Sequence, residues 1–206
     1  MNNINAIKFI SEGTSTISLI KVSDPADYNV SLEYSYNGVN WRAWNASGLT
    51  IRQGDTLYVR GNNPSGFNSY NKDTKTYKFY KFRINGDKVS CSGNIMSLID
   101  YKNLPDTIPN DYCFYGLFEN CNALTSAPEL PATKLTDKCY IFMFSGCTSL
   151  KTAPELPATE LAESCYESMF SNCYSLTTAP ELPATKLADY CYSWMFNGCT
   201  FLKDKK

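Results

Sequence analysis

Histidine is absent from the 206 residues. That removes Ser-His and Cys-His nucleophile pairs and the commonest general base. Surplus charge is absent too. The 19 basic residues face 20 acidic ones, leaving a net charge of −1, so nothing draws the chain toward nucleic acid or an anionic membrane. No apolar run is long enough to span a bilayer, and membrane insertion is not expected. The nine cysteines include no Cys-x-x-Cys pair, so no zinc site or other cofactor is expected. The opening Met-Asn-Asn-Ile-Asn is not a secretory signal. Either a signal has been removed, or the protein reaches its destination without one, as a phage structural or a cytoplasmic protein would.

What is present is a repeat. Cys113, Cys139, Cys165 and Cys191 are each 26 residues apart, as are Cys121, Cys147, Cys173 and Cys199. Phe118, Phe144, Phe170 and Phe196 keep the same spacing, as do Leu124, Leu150, Leu176 and Leu202. The string Ala-Pro-Glu-Leu-Pro-Ala-Thr starts at Ala127, Ala153 and Ala179. A fixed period without insertions predicts stacked coils.

Within one unit, Leu135, Cys139, Tyr140, Met143, Phe144 and Cys147 fall at helical spacing and make one apolar stripe. Asp137, Glu163 and Asp189 suit a helix start. Asn120, Gly146, Asn172 and Gly198 suit the left-handed residue just past a helix end. A helix of about ten residues is expected per coil, followed by a short strand near residues 150–153 and a proline bend. Helices need about 8–10 Å between axes and strands about 4.8 Å, so the stack should curve with its helices outside. The fold class expected is an α/β solenoid of 26-residue coils behind a small antiparallel β-sandwich.

The box Met143 to Leu150, Met-Phe-x-Gly-Cys-Thr-Ser-Leu, with its extended Leu-Pro segment, resembles the leucine-rich repeats of the BspA and Treponema pallidum type. The resemblance covers about residues 90–202, although the unit here is longer and carries the Ala-Pro-Glu-Leu-Pro insert. It implies a surface-exposed binding or adhesion repeat.

Residues 1–86 have another texture. Alternating runs at 17–22, 30–34 and 56–60 predict half-buried strands, and Asn37-Gly38, Asn85-Gly86 and Gln53-Gly54-Asp55 predict turns. The segment Tyr34-Ser-Tyr-Asn-Gly-Val-Asn-Trp41 resembles a hairpin of Ig-like modules attached to such repeats. Residues 61–75 read as a long mobile polar loop. The expected division is a β-domain at 1–86, a degenerate capping coil at 87–112, coils at 113–138, 139–164 and 165–190, and a partial coil at 191–206.

Several residues are candidate ligand contacts. Glu129, Glu155 and Glu181 form a column, one per coil. They either solvate the proline bend, bind a cation or cationic ligand, or act as paired carboxylates; duplication of the repeat favours the first. Thr125, Lys151 and Thr177, with Ser126, Thr152 and Thr178, make a hydroxyl-rich strip that fits a sugar or a plain solvated sheet. Phe142 and Trp194 fall off the apolar stripe and either mark a contact or pack on neighbouring helices.

The expected function is a non-enzymatic binding or adhesion module for a protein or glycan ligand, at the cell surface or outside the cell. The alternatives are a virion host-binding protein of a phage, or an intracellular inhibitor of a bacterial defence or host factor. Fraying, or self-association through the C-terminal coil, is also expected.

Disulfides are not. Cysteines on neighbouring helices would lie about 8–10 Å apart, beyond the roughly 7 Å a disulfide spans. Alkylation of the denatured protein without reductant should label all nine thiols, read by mass spectrometry; two stoichiometric disulfides would overturn this.

Overall fold

The computed structural model describes residues 4–22, 29–45 and 47–203. Alternating apolar residues build the strands of the N-terminal part. These are β1 (Ile7–Ser11), β2 (Ser15–Lys21), β3 (Leu32–Ser35), β4 (Arg42–Ala43), β5 (Leu49–Ile51), β6 (Thr56–Gly61), β7 (Ser69–Asn71), β8 (Thr76–Lys78), β9 (Tyr80–Gly86) and β10 (Val89–Ser92). With β11 (Leu124–Ser126), they form a six-stranded sheet ordered β11-β10-β1-β6-β3-β4, a three-stranded sheet ordered β5-β2-β9, and the hairpin β7-β8. The two larger sheets pack face to face. Phe9 of β1 meets Phe82 of β9 edge-on at 5.4 Å, in a core with Ile7, Ile17, Ile51, Leu57 and Val59.

Two expected turns do a different job. Asn85-Gly86 is expected to close a hairpin, and Gln53-Gly54-Asp55 is expected as a turn. They instead pass the chain between sheets, since β9 pairs with β2 while β10 pairs with β1, and β5 pairs with β2 while β6 pairs with β1 and β3. The polar segment 61–75, expected as one long loop, is anchored at its centre, while residues 71–75 are exposed. Phe67 and Asn68 within it are fully buried.

The expected α/β solenoid is not what the chain forms. Among the described residues there is no α-helix, only one short 3-10 turn at Ile95–Leu98. The leucine-rich-repeat coil implied by the resemblance, one helix and one strand, is absent with it. Coils do stack at the 26-residue step, but each is a run of four-residue turns. Tyr112, Gly116 and Asn120 all have positive φ, and so do Lys138, Phe142 and Gly146, Ser164, Ser168 and Asn172, and Tyr190, Trp194 and Gly198. A left-handed residue at every fourth position stops a helix from propagating.

The hydrogen bonds show what replaces it. Odd-numbered amides bond locally, as Leu117 N–H does to Phe114 O and Cys121 N–H to Phe118 O. Even-numbered amides cross to the next coil. Phe114 donates to Cys139 O, Gly116 to Ile141 O, Phe118 to Met143 O and Asn120 to Ser145 O, at 2.8–2.9 Å. The same pattern links the second coil to the third and the third to the fourth.

Aromatic rings fix the step. Phe118, Phe144, Phe170 and Phe196 stack at 5.5, 5.7 and 5.7 Å, with planes within 10°. Phe114, Tyr140, Tyr166 and Tyr192 make a second column at 5.7–5.9 Å. Helices side by side would need about 8–10 Å, so ring stacking at this distance excludes them. The thickness mismatch invoked for curvature goes as well. The expected strand near 150–153 shrinks to single parallel bridges, Ser126 to Thr152 to Thr178.

Acids placed at helix starts have other partners. Asp137 Oδ1 accepts from the Glu163 amide at 3.1 Å, and Glu163 pairs with Lys138 at 2.7 Å. That pairing holds the Glu163 carboxyl below its usual range and raises the Lys138 ammonium.

The β-domain closes one end of the stack. Phe82 stacks on Phe118 at 5.2 Å and its amide donates to Leu117 O, while Phe67 stacks on Phe114 and the Asn68 amide donates to Cys113 O. Phe82 and Phe67 thus stand where the previous coil's rings would be. Residues 87–112 contribute β10, which pairs with β11, and the stretch through Thr107, which bridges Lys134.

Two stability tests follow. Phe170→Ala should cost about 3–5 kcal/mol, because it opens a gap in a filled ring column. Cys165→Ala should cost far less in the same denaturant titration, and equal costs would refute the ring column as the anchor. Ser168 sits at φ 53°, where a left-handed side chain costs about 1–2 kcal/mol. Ser168→Gly should therefore match or exceed wild-type stability, whereas Ser168→Val should melt lower.

Candidate functional site

Three surfaces hold the candidate residues. The first is the proline bend. Its floor is set by Leu130 and Ala132 in one coil and Leu156 and Ala158 in the next, all at 3% exposure or less. The two prolines of each bend have no amide proton and a fixed φ, so the chain runs extended with its glutamate turned outward. In the first coil the bend is tied to the β-domain, with Glu129 N–H donating to Gly93 O and Ile95 N–H to Glu129 O. Consecutive bends enclose an open groove of about 600 Å³ lined by Pro128, Glu129, Leu130, Pro131, Pro154, Glu155 and Pro157. A smaller one of about 250 Å³ continues it between Glu155, Pro157, Glu181 and Pro183. Glu129, Glu155 and Glu181 are all exposed, and none takes part in an ion pair among the described residues.

The second surface is the hydroxyl strip. Backbone bonds join it coil to coil, from Lys151 N–H to Thr125 O, Thr177 N–H to Lys151 O and Lys203 N–H to Thr177 O. Three of its five hydroxyls donate within the molecule. Thr125 Oγ1 donates to Val89 O, Ser126 Oγ to Cys91 O and Thr177 Oγ1 to Lys151 O. A sugar would find those three protons already used, while Thr152, Thr178 and the Lys151 side chain stay exposed.

The third surface carries Phe142 and Trp194, both at left-handed corners. They have different surroundings. Phe142 is half-buried and packs edge-on against Tyr115 at 5.8 Å, joining an aromatic cluster with Tyr112, Phe79 and Tyr70. Trp194 is 70% exposed. The structure therefore groups Glu129, Glu155 and Glu181 on one strip and Thr125, Lys151 and Thr177 on another, and does not bring Phe142 and Trp194 together.

All nine cysteines are free and buried. Burial pushes the Cys113, Cys121 and Cys165 thiols up to about 12 and raises those of Cys91, Cys139, Cys147 and Cys173. These groups stay protonated at neutral pH and are poor nucleophiles and metal ligands. They act as donors instead. Cys121 Sγ bonds to Phe82 O, Cys147 to Phe118 O, Cys173 to Phe144 O and Cys199 to Phe170 O, at 3.0–3.2 Å. No group of three or more metal-ligating side chains is found among the described residues.

Sequence reasoning missed the buried Phe67–Asn68 corner. Its one visible signal is a lone phenylalanine in an otherwise polar stretch. It also missed the tyrosine cluster, whose members come from separated segments. Comparison with family models, with curated proteins and with solved structures finds no match in any of the three.

Proposed function

We propose that this chain is a non-enzymatic binding module that takes an extended, basic segment of a partner protein along the proline–glutamate groove. The observation that carries this is the groove itself: an apolar, proline-walled trough, repeated coil by coil, with one exposed carboxylate per bend that forms no ion pair among the described residues. Fixed proline walls lose little entropy when a ligand settles against them. Carboxylates at each coil step favour lysine or arginine side chains, and exposed charges of this kind set specificity and association rate more than affinity. The protonated thiols and the lack of histidine favour binding over nucleophilic or general-base chemistry. A cell-surface adhesion role, which the resemblance implies, belongs to the same proposal.

The test uses an array of extended lysine- and arginine-containing peptides against the wild-type chain and the triple variant E129Q, E155Q and E181Q. Bound basic peptides should lose about tenfold in affinity in the variant, roughly 1.4 kcal/mol. The wild-type interaction should weaken with added salt. The melting temperature should hardly move, because exposed substitutions stay within about 0.5 kcal/mol. If no basic peptide binds, or the variant binds as well as wild type, the groove is not the ligand site.

A further inference from the structure

The hairpin β7-β8 stands against the first corner of the stack and leaves a hollow of about 690 Å³ beside it, within the roughly 300–1,000 Å³ of small-molecule sites. Ser69, Tyr70, Lys72, Asp73 and Lys78 line it from the hairpin, and Asp111 from the stack. Rings hold the two walls together. Tyr70 packs on Tyr112 at 5.3 Å, Tyr77 on Phe79 at 5.1 Å, and Phe79 stacks on Tyr115 at 4.4 Å. The turn between the strands is fixed as well, since Asn71 Oδ1 accepts the Asp73 and Thr74 amides at 2.9 and 3.1 Å. Asp111 departs from the acids that stand at its position in the next two coils. There, Asp137 Oδ1 accepts the Glu163 amide and Glu163 pairs with Lys138, so the stack uses both carboxylates. The Asp111 carboxylate makes no hydrogen bond or ion pair among the described residues, and neither do the side chains of Ser69, Lys72 and Asp73. Tyr112, which backs Tyr70, is a left-handed corner at φ 61°, and the next two coils carry Lys138 and Ser164 there. The stack itself therefore does not require a ring at that corner.

From this lining we infer that the hollow is a saccharide subsite, which takes an uncharged sugar unit with its C–H face on the Tyr70 ring and its hydroxyls on Ser69, Asp73 and Asp111. The negative face of an aromatic ring attracts polarised C–H groups. Each sugar hydroxyl both donates and accepts, so it serves a carboxylate and a lysine equally. The charges select against other ligands. Two lysines and two aspartates line the same hollow, so a ligand of one sign meets as much repulsion as attraction. An apolar segment would strip water from those charges and return no hydrogen bond. Walls already held by ring contacts lose little freedom when a ligand settles between them. The hollow shares no residue with the proline–glutamate groove, so this site stands or falls apart from that one.

The experiment titrates the full 206-residue chain and follows its amide shifts by NMR. The probes are the methyl glycosides and disaccharides of glucose, galactose, mannose and N-acetylglucosamine, with glucuronic acid and glucosamine as charged comparators. At least one neutral probe should bind at millimolar concentration or below. It should shift the amides of residues 69–78 and 110–112 and leave those of 127–131 and 153–157 unmoved. Asp111→Asn keeps the shape and removes the charge, and should weaken that probe by about tenfold. Tyr70→Ala should weaken it at least as much, while Tyr70→Phe keeps the ring and should bind as the wild type does. The triple variant E129Q, E155Q and E181Q should also bind the sugar as the wild type does, whatever it does to basic peptides. Three results overturn the inference. One is no shift with any neutral probe at millimolar concentration. Another is tighter binding of a charged comparator than of every neutral sugar, which would make the hollow an electrostatic patch. The third is sugar binding undiminished in both Asp111→Asn and Tyr70→Ala, which would place the sugar elsewhere on the molecule.

Discussion

Everything C-terminal to the β-domain depends on one division of labour among backbone amides. One amide in two bonds inside its own four-residue turn, and the other crosses to the next coil. The crossing bonds hold neighbours at ring-stacking distance, 5.5–5.9 Å between centroids. Left-handed corners on residues such as Lys138, Phe142 and Trp194 carry a steric cost. The crossing bonds and the filled ring columns offset it, since no single turn could be stable alone. Stability is therefore a property of neighbours, as in other one-dimensional stacks.

The β-domain is built into this scheme rather than appended to it. Phe9 meets Phe82, Phe82 meets Phe118, and the column runs on through Phe144, Phe170 and Phe196. The core of the sandwich is thus continuous with the core of the stack. β10 pairs with β11, so the larger sheet also extends into the first coil. The proline bends and the hydroxyl strip inherit their positions from this continuous frame, which keeps the groove walls aligned from coil to coil.

The repeat, its period and its buried residues were legible in the sequence, as was the positive φ of Asn120, Gly146, Asn172 and Gly198. The coil's secondary structure was not, because spacing of four fits two structures. On a helix, residues 135, 139, 143 and 147 drift about 40° per step, or roughly 120° in all; on four-residue turns they stay aligned. The missing drift was the available clue. Left-handed Lys138, Ser164, Phe142 and Trp194 gave no sign, since nothing in those side chains favours that conformation. The glutamate column was visible as a period, but the groove beside it needed the coil spacing. The strip of Thr125 and Thr177 looked free because its acceptors, the carbonyls of Val89 and Lys151, lie 36 and 26 residues away.

The third corner of each coil carries an unremarked alternation: Asn120, Gly146, Asn172, Gly198. A Cβ added at Gly146 would lie 2.2 Å from Asn120 Oδ1, and one at Gly198 would lie 2.4 Å from Asn172 Oδ1. The amide of one coil fills the room that the next coil leaves by having no side chain. The steric unit of the stack is therefore two coils, although the sequence repeats every one. Duplicating or deleting a single coil sets asparagine over asparagine or glycine over glycine, while a change by pairs keeps the match. Lineages that lengthen or shorten this stack should do so in even steps.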